Sequence, residues 1–207
     1  MLNCIVFCFV TSLLSLPAAG AAAGSHPRLQ AARQDVPAAT REGGERSAGG
    51  ARRPEEEARR INALAVAQGK AGRLAEAIAL FKRAAGYDPA NAVIHYNLGI
   101  AYYRTNAYDE AIESFRRAIR LDPNYAPALN DLGRAYADSG RPEMAAEWLE
   151  RAIRLDPKLA DALYNLGMTY VRMRNRDASL RQFARLKGID ADSADRLYKA
   201  IFSDKVV

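Results

Sequence analysis

Two cysteines and two histidines are all that the 207 residues offer for thiol or imidazole chemistry. Cys4 and Cys8 both lie in the apolar first segment, so removal of that segment leaves no disulfide to stabilise the rest in an oxidising compartment. Without further cysteines, a Cys–His catalytic pair or a thiolate zinc site has no ligands to draw on. His26 falls in a linker-like stretch. His95 stands where related segments carry Ile61, Leu129 and Leu163, which reads as a packed, hydrogen-bonded imidazole. The glycines fall at recurring positions and build no phosphate-cradling loop. No constellation meets the geometric tests for an active site, so no enzymatic activity, metal or cofactor is expected.

Charge is missing from Met1 to Leu16, an almost wholly apolar run. Pro17 and the small residues Ala18–Ala23 follow it. This order reads as a secretory signal peptide over residues 1–23, with cleavage after Ala19 or Ala23 and export to the periplasm or the medium. No lysine or arginine precedes the run, and its length is near the minimum for a spanning helix. An uncleaved membrane anchor is therefore the alternative. Residues 24–53 are rich in Ala, Gly, Arg, Ser and Pro and poor in large apolar side chains, the composition of a disordered linker. Pro54 and Glu55–Glu57 then read as a helix start, with proline in the first turn and acids at the positive end of the dipole.

Beyond the linker the chain repeats itself. Leu64, Leu98, Leu132 and Leu166 stand 34 residues apart. A small residue follows each: Ala65, Gly99, Gly133 and Gly167. Three positions on come Gln68, Tyr102, Tyr136 and Tyr170, then Ala77, Ala111, Ala145 and Ser179, then Phe81, Phe115, Leu149 and Phe183. Pro89, Pro123 and Pro157 close the first three units, each preceded by an aspartate that reads as a turn residue. Within a unit, apolar residues recur at helical spacing in two runs separated by a short break such as Thr105–Ala107. Such helical hairpins bury both faces only by stacking, and the end units need altered faces. Here the first unit has Ala65 and Gln68 in place of Gly and Tyr, and the fourth lacks the proline. Ser193 is positioned to cap a short last helix carrying Leu197, Ala200 and Ile201, a lid on the final hairpin.

The pattern L-G-x-x-Y, A-x-x-x-F and A-x-x-x-x-P at this period resembles the tetratricopeptide repeat family. The resemblance implies an all-α, right-handed superhelical solenoid over residues 54–193. Its units are 58–91, 92–125, 126–159 and a degenerate 160–193, with a capping helix and tail at 194–207. It also implies a concave groove, lined by the first helix of each unit, that binds a peptide or partner protein. By that geometry the lining includes Asn62 and Lys70, then Tyr96, Asn97, Ile100 and Arg104. Asn130 and Arg134 follow, with Tyr164, Asn165, Met168 and Arg172 last. Tyrosine rings offer apolar area, amides meet a backbone and guanidinium forks meet carboxylates. Members that clamp the C-terminal carboxylate of heat-shock chaperones carry a lysine and an asparagine where this chain has Asn62 and Val66, an asparagine at Asn97, and a lysine and an arginine where it has Pro127 and Asp131. Shifted by one unit, the positions fall on Tyr96 and Ile100, then Asp131, then Asp161 and Asn165, so neither register supplies the cations and that activity is not expected.

The formal charge of +6 is moderate. Glu113, Glu147 and Glu150 precede Arg117, Arg151 and Arg154 by four residues, the spacing of exposed ion pairs on a helix. The stripe Arg116–Arg117–Arg120 therefore reads as a solvated face, and no nucleic-acid motif accompanies it. Together these features describe a monomeric exported adaptor that assembles or tethers an envelope or secreted complex. Membrane contact is expected only if the N-terminal segment is uncleaved. A membrane-anchored assembly factor, and a non-catalytic accessory subunit of an enzyme complex, are the alternatives.

Overall fold

The computed structural model describes residues 53–203. The expected signal or anchor segment, almost all of the linker and the tail beyond Ser203 lie outside them. Nine α-helices and no strand form among the described residues: α1 (Pro54–Lys70), α2 (Leu74–Tyr87), α3 (Ala92–Arg104), α4 (Tyr108–Leu121), α5 (Ala126–Asp138), α6 (Pro142–Leu155), α7 (Ala160–Arg172), α8 (Arg176–Leu186) and α9 (Ala191–Phe202). The first eight pair as hairpins α1–α2, α3–α4, α5–α6 and α7–α8, and each second helix packs on the first helix of the next hairpin. The result is an all-α solenoid.

Local chemistry sets each boundary. The turn inside every hairpin passes through a left-handed residue at the same repeat position: Gly72, Asn106, Gly140 and Arg174, with φ of 80°, 59°, 79° and 56°. Glycine and asparagine tolerate that conformation; Arg174 does so at a cost. Between hairpins the aspartates act as expected. The Asp122 and Asp156 carboxylates accept from the backbone N–H of Asn124 and Lys158, each at 3.0 Å. Asn91 caps α3 by accepting from the Val93 N–H at 3.2 Å. The His95 imidazole, half-buried, bonds the Pro89 carbonyl through Nε2 at 3.0 Å.

Packing from the second unit onward depends on the glycine that follows the repeat leucine. A Cβ added at Gly99 would lie 2.6 Å from the Phe115 ring, and one at Gly133 would lie 2.5 Å from Leu149. Phe115 and Leu149 are fully buried. A large side chain therefore seats against bare backbone in the second and third hairpins. The fourth unit changes this rule. Over Gly167 the close neighbour is Leu197 of α9, 2.4 Å from the notional Cβ. Phe183, the repeat counterpart of Phe115, instead stacks on Tyr198 with ring centroids 5.4 Å apart. Helix α9 thus plugs the last hairpin rather than merely covering it.

Two details differ from expectation. Helix α9 begins at Ala191, and its cap is Asp190, whose carboxylate accepts from the Ser193 N–H at 3.1 Å and the Ser193 hydroxyl at 2.6 Å. Ser193 lies inside the first turn and is buried, because an aspartate three residues earlier already satisfies the free N–H groups. The repeat leucines are not equivalent either. Leu98, Leu132 and Leu166 are buried, whereas Leu64 is 45% exposed. Leu98 packs into the preceding unit beside Phe81, and no described unit precedes Leu64.

Gly133→Ala is expected to destabilise the fold by about 1–3 kcal/mol through overpacking. Gly86→Ala, where nothing lies within 4 Å of the added carbon, should be neutral or gain up to about 1 kcal/mol from helix propensity. Urea midpoints of the two variants check this; equal shifts contradict the packing assignment.

Candidate functional site

The first helices α1, α3, α5 and α7 lie side by side and form one continuous face. The side chains there bond mostly to one another across the unit boundary. Asn97 Nδ2 donates to Asn62 Oδ1 at 3.1 Å, and Asn165 Nδ2 to Asn130 Oδ1 at 2.9 Å. The Tyr96 hydroxyl donates to Asp131 at 2.9 Å, and the Tyr103 hydroxyl to Asp138. Arg172 pairs with Asp138 at 2.7 Å. Arg104 Nη1 donates to the Gly69 carbonyl at 2.8 Å. Each bond joins residues one repeat apart, so this ladder holds neighbouring first helices in register.

The residues expected to line a groove accordingly divide in two. Asn62, Asn97, Asn130 and Asn165 form ladder rungs, and Asn130 is buried. Tyr96 packs between Tyr125 and Phe115, with centroids at 4.9 and 5.9 Å. Arg134 lies 3.4 Å from Asp131 and stacks over Tyr103 at 4.3 Å. The Tyr164 ring is covered by the Arg196 guanidinium of α9 at 5.0 Å. Met168 packs against the main core.

Lys70 and Ile100, together with the ladder residues Asn97 and Arg104, surround a pocket of about 170 Å³ at the junction of α1, α2 and α3. Val66, Leu74, Phe81 and Ala101 supply apolar walls. Lys70 and Arg104 are exposed at its edge. Gly69 lies in its lining, at the position held by Tyr103 in the second unit. The Gly69 carbonyl is open to Arg104. Leu74 and Phe81 belong to the second helix of the hairpin, so reasoning confined to first helices passes them over. The Gly69 exchange was the available signal.

Outside the pocket, the ion pairs depart from the i, i+4 expectation. Glu150 and Arg154 approach at 3.9 Å, but Glu113 pairs with Arg116 and Arg151 donates to the Pro123 carbonyl. Among the described residues no group of three or more His, Cys, Asp or Glu side chains is placed to hold a metal ion.

Asp131 is the strongest electrostatic feature of this face. Burial raises its pKa, and Arg134, Tyr96 and Asn130 only partly offset that. Burial also raises the Tyr96 hydroxyl, with the Asp131 charge beside it adding to the effect, and pushes Tyr103 up to about 12. A carboxyl whose folded pKa is raised contributes most at acid pH, and that contribution is lost as pH rises through the folded value. Asp131→Asn removes this dependence. The stability difference between variant and wild type is therefore expected to move in the variant's favour as pH rises from below the carboxylate range to neutrality. Chemical denaturation at both pH values measures it; movement the other way means that the Arg134 contact outweighs burial.

Comparison with known proteins agrees with this geometry. Residues 62–126, 114–147 and 161–200 match families described as Tetratricopeptide repeat, and residues 133–173 match one described as TPR repeat. No curated protein matches. Among solved structures, YrrB, a TPR protein with an unusual peptide-binding site, is 24% identical with a TM-score of 0.61, covering 73% of this chain and 79% of its own. The first TPR of Spaghetti (RPAP3), bound to the HSP90 peptide SRMEEVD, is 24% identical with a TM-score of 0.57, covering 58% and 95%. Pseudomonas aeruginosa PilF is 20% identical with a TM-score of 0.65, covering 73% and 70%. At these identities the likeness shows the fold. Hairpins at a 34-residue period, stacked through small residues and closed by a plug helix, and these four family matches over residues 62–200, give one conclusion: the chain belongs to the tetratricopeptide repeat family.

Proposed function

We propose that this protein is an exported, non-catalytic adaptor that binds a peptide segment of a partner protein on its first-helix face. The α1–α2–α3 pocket serves as its anchor. One observation carries the reading: two exposed cations, Lys70 and Arg104, edge an apolar hollow with no acidic residue in its lining. That hollow suits an apolar side chain flanked by a carboxylate. Two structural relatives support peptide recognition on this fold, one with a peptide-binding site and one holding a chaperone peptide. The anchoring chemistry differs here from a carboxylate clamp, because buried Asp131 would repel a terminal carboxylate.

The partner is identified by capture with the full chain and mass spectrometry, and then titrated. Arg104→Glu and Phe81→Tyr, the second narrowing the hollow, should weaken binding by about 1–2 kcal/mol or more if the pocket is a hot spot. Arg172→Ala, whose guanidinium is held by Asp138, should cost less. The peptide SRMEEVD should not bind at micromolar concentration. Binding indifferent to Arg104→Glu, or tight binding of SRMEEVD, refutes the reading.

Export rests on the uncharged run Met1–Leu16 and the small residues after it. The mature chain is expected to begin near Gly20 or Gly24. Sequencing the N-terminus of native protein decides this. An intact Met1 in the membrane fraction means an anchored assembly factor, and an intact Met1 in the soluble cytoplasm refutes both.

A further inference from the structure

The outer face, made by the second helices, carries the same pocket twice, one repeat apart. Between α4 and α6 it is lined by Arg116, Ile119, Arg120, Pro123, Trp148 and Arg151. Between α6 and α8, the residues 34 positions later recur in the same places, so that Glu150 replaces Arg116 and Gln182 replaces Trp148. The shape comes from hairpin stacking; the chemistry does not repeat.

In the α6–α8 pocket the charge is internally satisfied. Glu150 accepts from the Tyr170 hydroxyl at 2.8 Å and lies 3.9 Å from Arg154, and Arg185 reaches the Gln182 amide oxygen at 3.4 Å. The α4–α6 pocket has three guanidinium groups and no carboxylate in its lining. Arg116 is tied to exposed Glu113 at 3.2 Å, and Arg151 leans over the Trp148 ring at 5.6 Å while donating to the Pro123 carbonyl. Arg120 has no ion pair or hydrogen bond among the described residues. The Trp148 Nε1–H is buried and likewise lacks an acceptor among them. A buried donor without a partner carries a desolvation cost that the fold leaves uncompensated.

We infer that the α4–α6 pocket is a second binding site, for an acidic peptide segment that sets a carboxylate between Arg120 and Arg151 and an adjacent apolar side chain on Ile119, Pro123 and the Trp148 ring. Charge complementarity selects the carboxylate, and guanidinium groups meet it in paired hydrogen bonds. The apolar floor distinguishes this occupant from a phosphate backbone, which would follow an uninterrupted basic stripe rather than one hollow. The site lies on the face opposite the groove, so it stands or falls independently of the reading above.

Trp148 is the only tryptophan in the chain, so its emission reports on this pocket alone. The full-length protein is titrated with a short N-acetylated, C-amidated peptide of alternating glutamate and leucine, and separately with oligothymidylate. The peptide is expected to give a saturable change in Trp148 emission. Arg120→Glu, exposed and unpaired and so expected to keep the wild-type melting temperature, should weaken that binding roughly tenfold or more. Arg154→Glu, the same position one repeat on, should change it by less than about twofold. Absence of a saturable response, indifference to Arg120→Glu, or equal weakening by both reversals overturns the proposal. Tighter binding of oligothymidylate than of the peptide also overturns it, and assigns the basic face to nucleic acid.

Discussion

The contact between a bare backbone and a large side chain, made in every unit after the first, is the constraint on which the rest depends. Gly99 receives Phe115, Gly133 receives Leu149 and Gly167 receives Leu197, with no room for a single added carbon. This approach sets how closely two helices of a hairpin sit. That spacing fixes where the second helix presents its outer residues and where the first helix meets the next unit.

The ladder between units explains why polar residues on the first-helix face are poor guides to binding. The Asn62–Asn97 and Asn130–Asn165 pairs, Tyr96 with Asp131, and Arg172 with Asp138 all join positions one repeat apart. Their bonds orient adjacent units, and a ligand that took them over would have to replace bonds already made. The cost of burying Asp131 shows the strength of this demand: the carboxyl is held against its own desolvation because Tyr96, Asn130 and Arg134 converge on it.

The period, the hairpins, their turns and the aspartate stops were legible in the sequence because they are signals of spacing along one dimension. So were the glycine contacts of the second and third units. The fourth was not, since Phe183 and Leu197 were both plausible neighbours for Gly167 and only the docking of α9 decides between them. The start of α9 was expected with Ser193 as its cap, but Asp190, three residues earlier and as good a capping residue, takes that role. Of the proposed groove residues, the positions could be read but their partners could not. Whether an asparagine amide meets a ligand or its counterpart 35 residues away depends on the register between units, which no local pattern encodes.

Departures from the repeat carry more information than the repeat itself. Positions that recur in every unit are tied to stacking, which every unit needs. Gly69, where the second unit has Tyr103, lines the hollow that gathers Lys70 and Arg104. On the outer face, the position of Trp148 is held by Ser114 one unit earlier and Gln182 one unit later. Ser114 turns back to the Glu110 carbonyl at 2.8 Å, and Gln182 accepts from Arg185, so both are satisfied within the chain. Trp148 has no such outlet among the described residues. A stack of near-identical hairpins presents near-identical surfaces, so recognition of one partner segment has to reside in these exceptions. The two proposed sites, at the junction of the first two units on one face and at the α4–α6 junction on the other, both fall at such exceptions.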